Sequence, residues 1–76
     1  MPSWSPCKRR DFIYKLRRLG FSAPETGGRH FFMRFQRYTL ALPANAEYSV
    51  PQLRMLLREV ERGTDIRIDA ERWARL

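Results

Sequence analysis

The run from His30 to Leu42, in the middle of the chain, alternates in polarity with a period of two, the mark of an extended backbone with one face in water. Phe31, Met33 and Phe35 share one face of a first segment, His30 to Gln36, while His30, Phe32 and Arg34 share the other. In a second segment, Arg37 to Leu42, the residues Tyr38, Leu40 and Leu42 extend the apolar set. A tight turn near Gln36-Arg37 brings the two together as an antiparallel hairpin. Such a hairpin is not stable alone and has to be covered on its apolar face. That face is assigned to the core and His30 and Arg34 to the accessible side, with Phe32 breaking an otherwise clean separation.

The flanking sequence supplies the cover. Met1 to Pro6 reads as an irregular lead-in, with Ser5 as N-cap and Pro6 in the first turn of a helix from about Cys7 to Leu19. In it Phe12, Ile13, Leu16 and Leu19 recur at helical spacing, opposite Arg10, Tyr14, Arg17 and Arg18. Gly20 is a natural stop. Phe21 to Ala23 reads as a short strand broken by Pro24, Glu25 to Arg29 as a loop, and Ala44 to Glu47 as a linker after Pro43. A second helix is announced by a Ser49/Gln52 capping box, a Tyr48/Leu53 staple and Pro51 in the first turn. Leu53, Leu56, Leu57 and Val60 form its buried stripe and Gly63 its expected end. Asp69 caps a last short helix that turns Trp73 and Leu76 inward. The expected fold is one α+β domain over residues 1–76: a small antiparallel three-stranded sheet packed on two helices, in the order α-β-β-β-α plus a short C-terminal helix. One sheet face is left open for a partner.

A chain of 76 residues forms a thin core, burying only about 60% of the surface it exposes when unfolded. Cys7, the single cysteine, cannot make an intramolecular disulfide, which suits a reducing cytoplasm. No apolar run approaches the roughly 18 residues of a spanning helix, and no long apolar leader core is present, so a cytoplasmic chain without membrane contact is expected. The net charge of +7 is lopsided. Through Leu40 the chain carries Lys8, Arg9, Arg10, Lys15, Arg17, Arg18, Arg29, Arg34 and Arg37 against only Asp11 and Glu25, whereas the remainder is balanced. A one-sided basic field suits a polyanion, either nucleic acid or an acidic protein.

The only histidine, His30, follows Gly27-Gly28-Arg29 where loop becomes strand. Glycine permits a sharp turn or a close approach, and an imidazole in general exchanges protons near neutral pH. One His, one Cys and scattered carboxylates make no recognisable metal-ligand set, and no cofactor is implied. No serine is placed for a Ser-His-Asp arrangement. His30 is a candidate seat of proton-transfer chemistry.

These residues resemble a known family, the HicA-type toxins of toxin-antitoxin pairs. The likeness runs through Lys8-Arg9-Arg10-Asp11-Phe12-Ile13, Leu16-Arg17-Arg18-Leu19-Gly20-Phe21, Gly27-Gly28-Arg29-His30-Phe31-Phe32-Met33 and Leu42-Pro43. It resumes at Ser49 to Leu57 and at Ile68-Asp69-Ala70-Glu71-Arg72-Trp73, covering nearly the whole chain. The resemblance implies a double-stranded-RNA-binding-domain-like fold and a metal-independent endoribonuclease acting on mRNA, neutralised by a HicB-type antitoxin. It places the catalytic histidine at His30 and the family's preceding glycine at Gly28. His30 would then exchange a proton with the RNA, Arg29 and Arg34 would stabilise charge on the scissile phosphate, and Tyr38, Glu25 or water would be the second proton-transfer group. RNA contacts would come from Lys8, Arg9, Arg10, Arg17, Arg18, Gly28, Arg29 and Arg34. Two other readings stand beside it: a non-catalytic RNA-binding domain using the same basic residues, and a basic module that meets an acidic protein.

Overall fold

The structure, a computed structural model, describes residues 2–28 and 30–76. Its elements follow in the order β1 (Cys7–Lys8), α1 (Arg9–Leu19), β2 (Glu25–Gly27), β3 (His30–Phe35), β4 (Tyr38–Leu42), β5 (Glu47–Tyr48), α2 (Val50–Thr64) and α3 (Ala70–Arg75). The architecture is α+β, with β2, β3 and β4 in one antiparallel sheet in chain order. Among the described residues no helix is long and apolar enough to cross a membrane.

The hairpin forms as its alternation requires. Phe31 faces Leu42, Met33 faces Leu40 and Phe35 faces Tyr38 across β3 and β4, so six apolar side chains share one face. Met33, Leu40 and Leu42 are buried there with Phe12 and Leu16 of α1 and Leu53, Leu56, Leu57 and Val60 of α2. Gln36, first in the turn, has φ 53°, the left-handed region, where the chain reverses without Asn-Gly. Helix α1 runs in the same direction as β3. The Arg9 guanidinium lies 5.0 Å from the centre of the Phe31 ring, and a Cβ on Gly20 would meet Phe35 at 3.1 Å. Gly20 closes the helix in the left-handed region, its N–H donating to the carbonyls of Leu16 and Arg17. Phe12 is the hub between layers, edge-on to Tyr48 at 5.4 Å and tilted against Trp73 at 5.5 Å. The Tyr48 hydroxyl donates to the Pro43 carbonyl at 2.8 Å, and burial pushes this phenol up to about 12, so it stays a neutral donor.

Several expected boundaries move, each for a physical reason. Helix α1 starts at Arg9 and not near Ser5, because Cys7 and Lys8 pair with Tyr48 and Glu47 as a short antiparallel bridge. The same bridge takes Glu47 out of the expected linker. Phe21 to Ala23 is not a strand: Phe21 is buried against Phe35 at 5.4 Å, and Ser22 is tied by a single bond from its N–H to the Arg34 carbonyl. The third strand is instead Glu25–Gly27, within the expected loop. All three of its residues are exposed, so no alternation marks it, and backbone pairing to β3 alone makes it a strand. Helix α2 starts as expected, with the Ser49 hydroxyl accepting from the Gln52 N–H at 3.3 Å. The Gln52 amide reaches Asn45 at 3.4 Å and not back to Ser49. The helix runs past Gly63 to Thr64 and closes on Asp65 at φ 62°.

Gly63 therefore serves packing and not termination. A Cβ at this position would collide with the Tyr38 ring, so its absence lets α2 settle on the end of β4. In an ordinary helix Gly→Ala stabilises by about 1 kcal/mol. Here Gly63→Ala is expected to destabilise by about 1–3 kcal/mol through overpacking, measured as a lower urea midpoint at unchanged slope. A gain in stability would contradict this role.

Candidate functional site on the open sheet face

Both helices lie against the apolar side of the sheet, so its other side holds what the alternation sends outward: His30, Phe32 and Arg34 from β3, Glu25 and Gly27 from β2, Thr39 and Ala41 from β4. His30 opens β3 and pairs with Gly27. Gly28 has φ 64°, and nothing lies within 4 Å of where a Cβ would sit. Its requirement is one of backbone conformation and not of space. Arg29 lies outside the described residues.

The imidazole of His30 is solvent-exposed, with its ring centre 6.2 Å from that of Phe32. Arg34 shares the face but stands four residues further, about 13 Å along the strand. Its Nε donates to Glu25 Oε2 at 2.9 Å in an ion pair whose side chains are 58% and 51% exposed. The strand thus sets Arg34 at a position next to that of His30, with its guanidinium paired to Glu25. Phe32 is a member of this face that sequence reasoning left out of the site; its signal was an aromatic ring on the polar side of the alternation.

The basic residues of α1 divide. Lys8 is exposed just before the helix, and Arg10 is exposed as its second residue. Arg9, half-buried, is a structural strap: its guanidinium donates to the carbonyls of Ala44 and Asn45 while lying over Phe31, and its own N–H donates to the Ala46 carbonyl. These contacts engage a guanidinium that the sequence also offers to RNA. Arg17 and Arg18 are exposed in the last turn, at the Phe35 end of the sheet and so away from His30. Arg18 leans on Tyr14, 5.9 Å from the ring centre and 3.4 Å from its hydroxyl. The structure thus gathers His30, Phe32, Arg34 and Glu25 on one face and spreads Arg10, Arg17 and Arg18 along a helix on the other side.

Chemically, the face offers an exposed imidazole, an aromatic ring and an arginine paired with an exposed carboxylate. Among the described residues no three His, Cys, Asp or Glu side chains converge as a metal site would need. No family model matches the chain, and comparison with curated proteins and with solved structures gives no match.

The division among the arginines is measurable. Arg9→Ala is expected to lower stability by about 1–2 kcal/mol, through the lost cation–π contact and the freed carbonyls. Arg10→Ala should stay within about 0.5 kcal/mol. Urea unfolding of both variants checks this, and equal small effects would return Arg9 to the solvated basic surface.

Proposed function

We propose that this chain is a metal-independent endoribonuclease of the HicA toxin type, acting on mRNA through His30 and silenced by a HicB-type antitoxin. The observation that carries the reading is the placement of the chain's only histidine: exposed, at the rim of a glycine hairpin, on a sheet face that neither α1 nor α2 covers. The element order α1, β2, β3, β4, α2 supports the double-stranded-RNA-binding-domain-like part of the proposal. The charge of +7, concentrated before Leu40, supports RNA as the polyanion.

In the proposed reaction the RNA 2′-hydroxyl attacks the adjacent phosphorus, the bond to the 5′-oxygen breaks, and a 2′,3′-cyclic phosphate and a 5′-hydroxyl result. His30 takes the proton from the 2′-hydroxyl or gives one to the leaving oxygen, a contribution typically worth about 10² to 10⁴-fold in rate. Arg29, its neighbour in sequence, is assigned to the phosphate. The second proton-transfer group is water or Glu25. Tyr38 pairs with Phe35 at the far end of the hairpin and turns toward the core.

The exposed Arg17 and Arg18, remote from His30, favour a second reading in which the chain binds RNA without cutting it. One experiment separates the two. Purified wild type is expected to cleave a long single-stranded RNA in the presence of EDTA, and His30→Ala to lose at least about 100-fold in rate while keeping the wild-type circular dichroism spectrum. Equal cleavage by both proteins, or none by either, would contradict the catalytic reading.

A further inference from the structure

Phe32 is the sheet residue that the core does not account for. The rings of Phe31, Phe35 and Tyr38 pack against the buried cluster, whereas Phe32 points to the opposite face between His30 and Arg34. It is nevertheless half-buried, and the cover comes from within the face. Gly27 on the adjacent strand has no side chain, and a Cβ there would stand 2.9 Å from Phe32 Cε2, so the ring leans over bare backbone. The ring is only partly covered. An aromatic ring held in place on an otherwise polar face, with an imidazole 6.2 Å away on one side, is a surface suited to stacking.

The arginine on the other side is held lightly. Glu25 lies opposite Phe32 in the strand register and pairs with Arg34 across the face. With both partners more than half exposed, such a pair contributes little to stability and gives way readily to a better anion. A phosphate is that anion, since a guanidinium binds it through two parallel charge-assisted bonds. Same-face residues on a strand are about 6.6 Å apart. The imidazole, the ring and the guanidinium therefore form a short row.

We infer that Phe32 is a stacking platform for one unpaired RNA base, that Arg34 holds the phosphate next to that base, and that Glu25 is a built-in competitor for that arginine. The inference deepens the ribonuclease reading by naming single-stranded RNA as the ligand of this face, and rests on it only in taking RNA as the polyanion. Single strands are selected because a base within an A-form duplex keeps its faces stacked on its neighbours, whereas an unpaired base can be splayed onto an aromatic ring. An acidic protein would use the arginine but would gain nothing specific from the flat face of Phe32.

The test is fluorescence anisotropy with a short 2′-O-methyl oligoribonucleotide, which cannot undergo 2′-hydroxyl attack, used single-stranded and annealed to its complement. Wild type is expected to prefer the single strand. Phe32→Leu, which keeps an apolar side chain, should weaken that binding roughly tenfold, and Phe32→Trp should restore it. Glu25→Gln should tighten it by about two- to fivefold, because the competitor for Arg34 loses its charge. Thermal melting of each variant confirms folding, which Phe32 does not govern from outside the core. Unchanged affinity in Phe32→Leu would overturn the inference. So would equal, Phe32-independent binding of the duplex, or binding of polyglutamate with none of RNA. Because the probe resists cleavage, a Phe32-dependent affinity accompanied by no His30-dependent cleavage would refute the ribonuclease reading and leave this inference standing.

Discussion

The structure depends on one constraint, that the β3–β4 hairpin is apolar on a single face. Met33, Leu40 and Leu42 are at most 4% exposed, and they reach that state only because α1 and α2 both lie on their side of the sheet. In so short a chain the buried area available is small, and covering one face uses the two long helices. The opposite face stays in water as a consequence. What occupies it is set by the same alternation, so the residues available for function are His30, Phe32 and Arg34 with their cross-strand neighbours.

The connections are held by a few specific devices. Phe12 joins α1 to β5 and α3 through Tyr48 and Trp73, and Lys15 donates to the Trp73 carbonyl at 2.8 Å while lying 4.8 Å from the centre of its ring. At the end of α2 the Thr64 hydroxyl donates to Val60 and accepts from the Ile66 N–H, and Glu61 accepts from the Ile68 N–H at 2.7 Å. These bonds carry the chain round to α3, where the Asp69 carboxylate accepts from the Arg72 N–H at 2.8 Å. Part of the basic excess is consumed in this way. Arg9 and Lys15 act as internal straps, so the charge offered to a partner is smaller and differently placed than the sequence count suggests.

What could be read from the sequence was what periodicity and capping encode. The β3–β4 register, the start and stripe of α2, the Gly20 stop and the Asp69 cap all rest on local patterns, and all appear where those patterns put them. Long-range backbone pairing was invisible. Glu25–Gly27 and the Cys7–Lys8 bridge to Glu47–Tyr48 are strands because of a partner elsewhere in the chain, and nothing in their own composition says so. Gly63 was misread for a related reason, since a glycine that ends a helix and one that admits a neighbouring ring look alike in sequence. Within the site, His30 and Arg34 were legible as the outward set of an alternating strand. The pairing of Glu25 with Arg34 was not, because it depends on the β2–β3 register.

The central claim is that the uncovered sheet face, and not the basic helix α1, receives the RNA. Backbone amide chemical shifts of the labelled protein, followed during titration with a non-cleavable single-stranded oligoribonucleotide, test it most directly. The account predicts that the largest changes fall on residues 25–28, 30–34 and 39–41. Changes confined to α1, around Arg10, Arg17 and Arg18, with the outer face of the sheet unmoved, would contradict it.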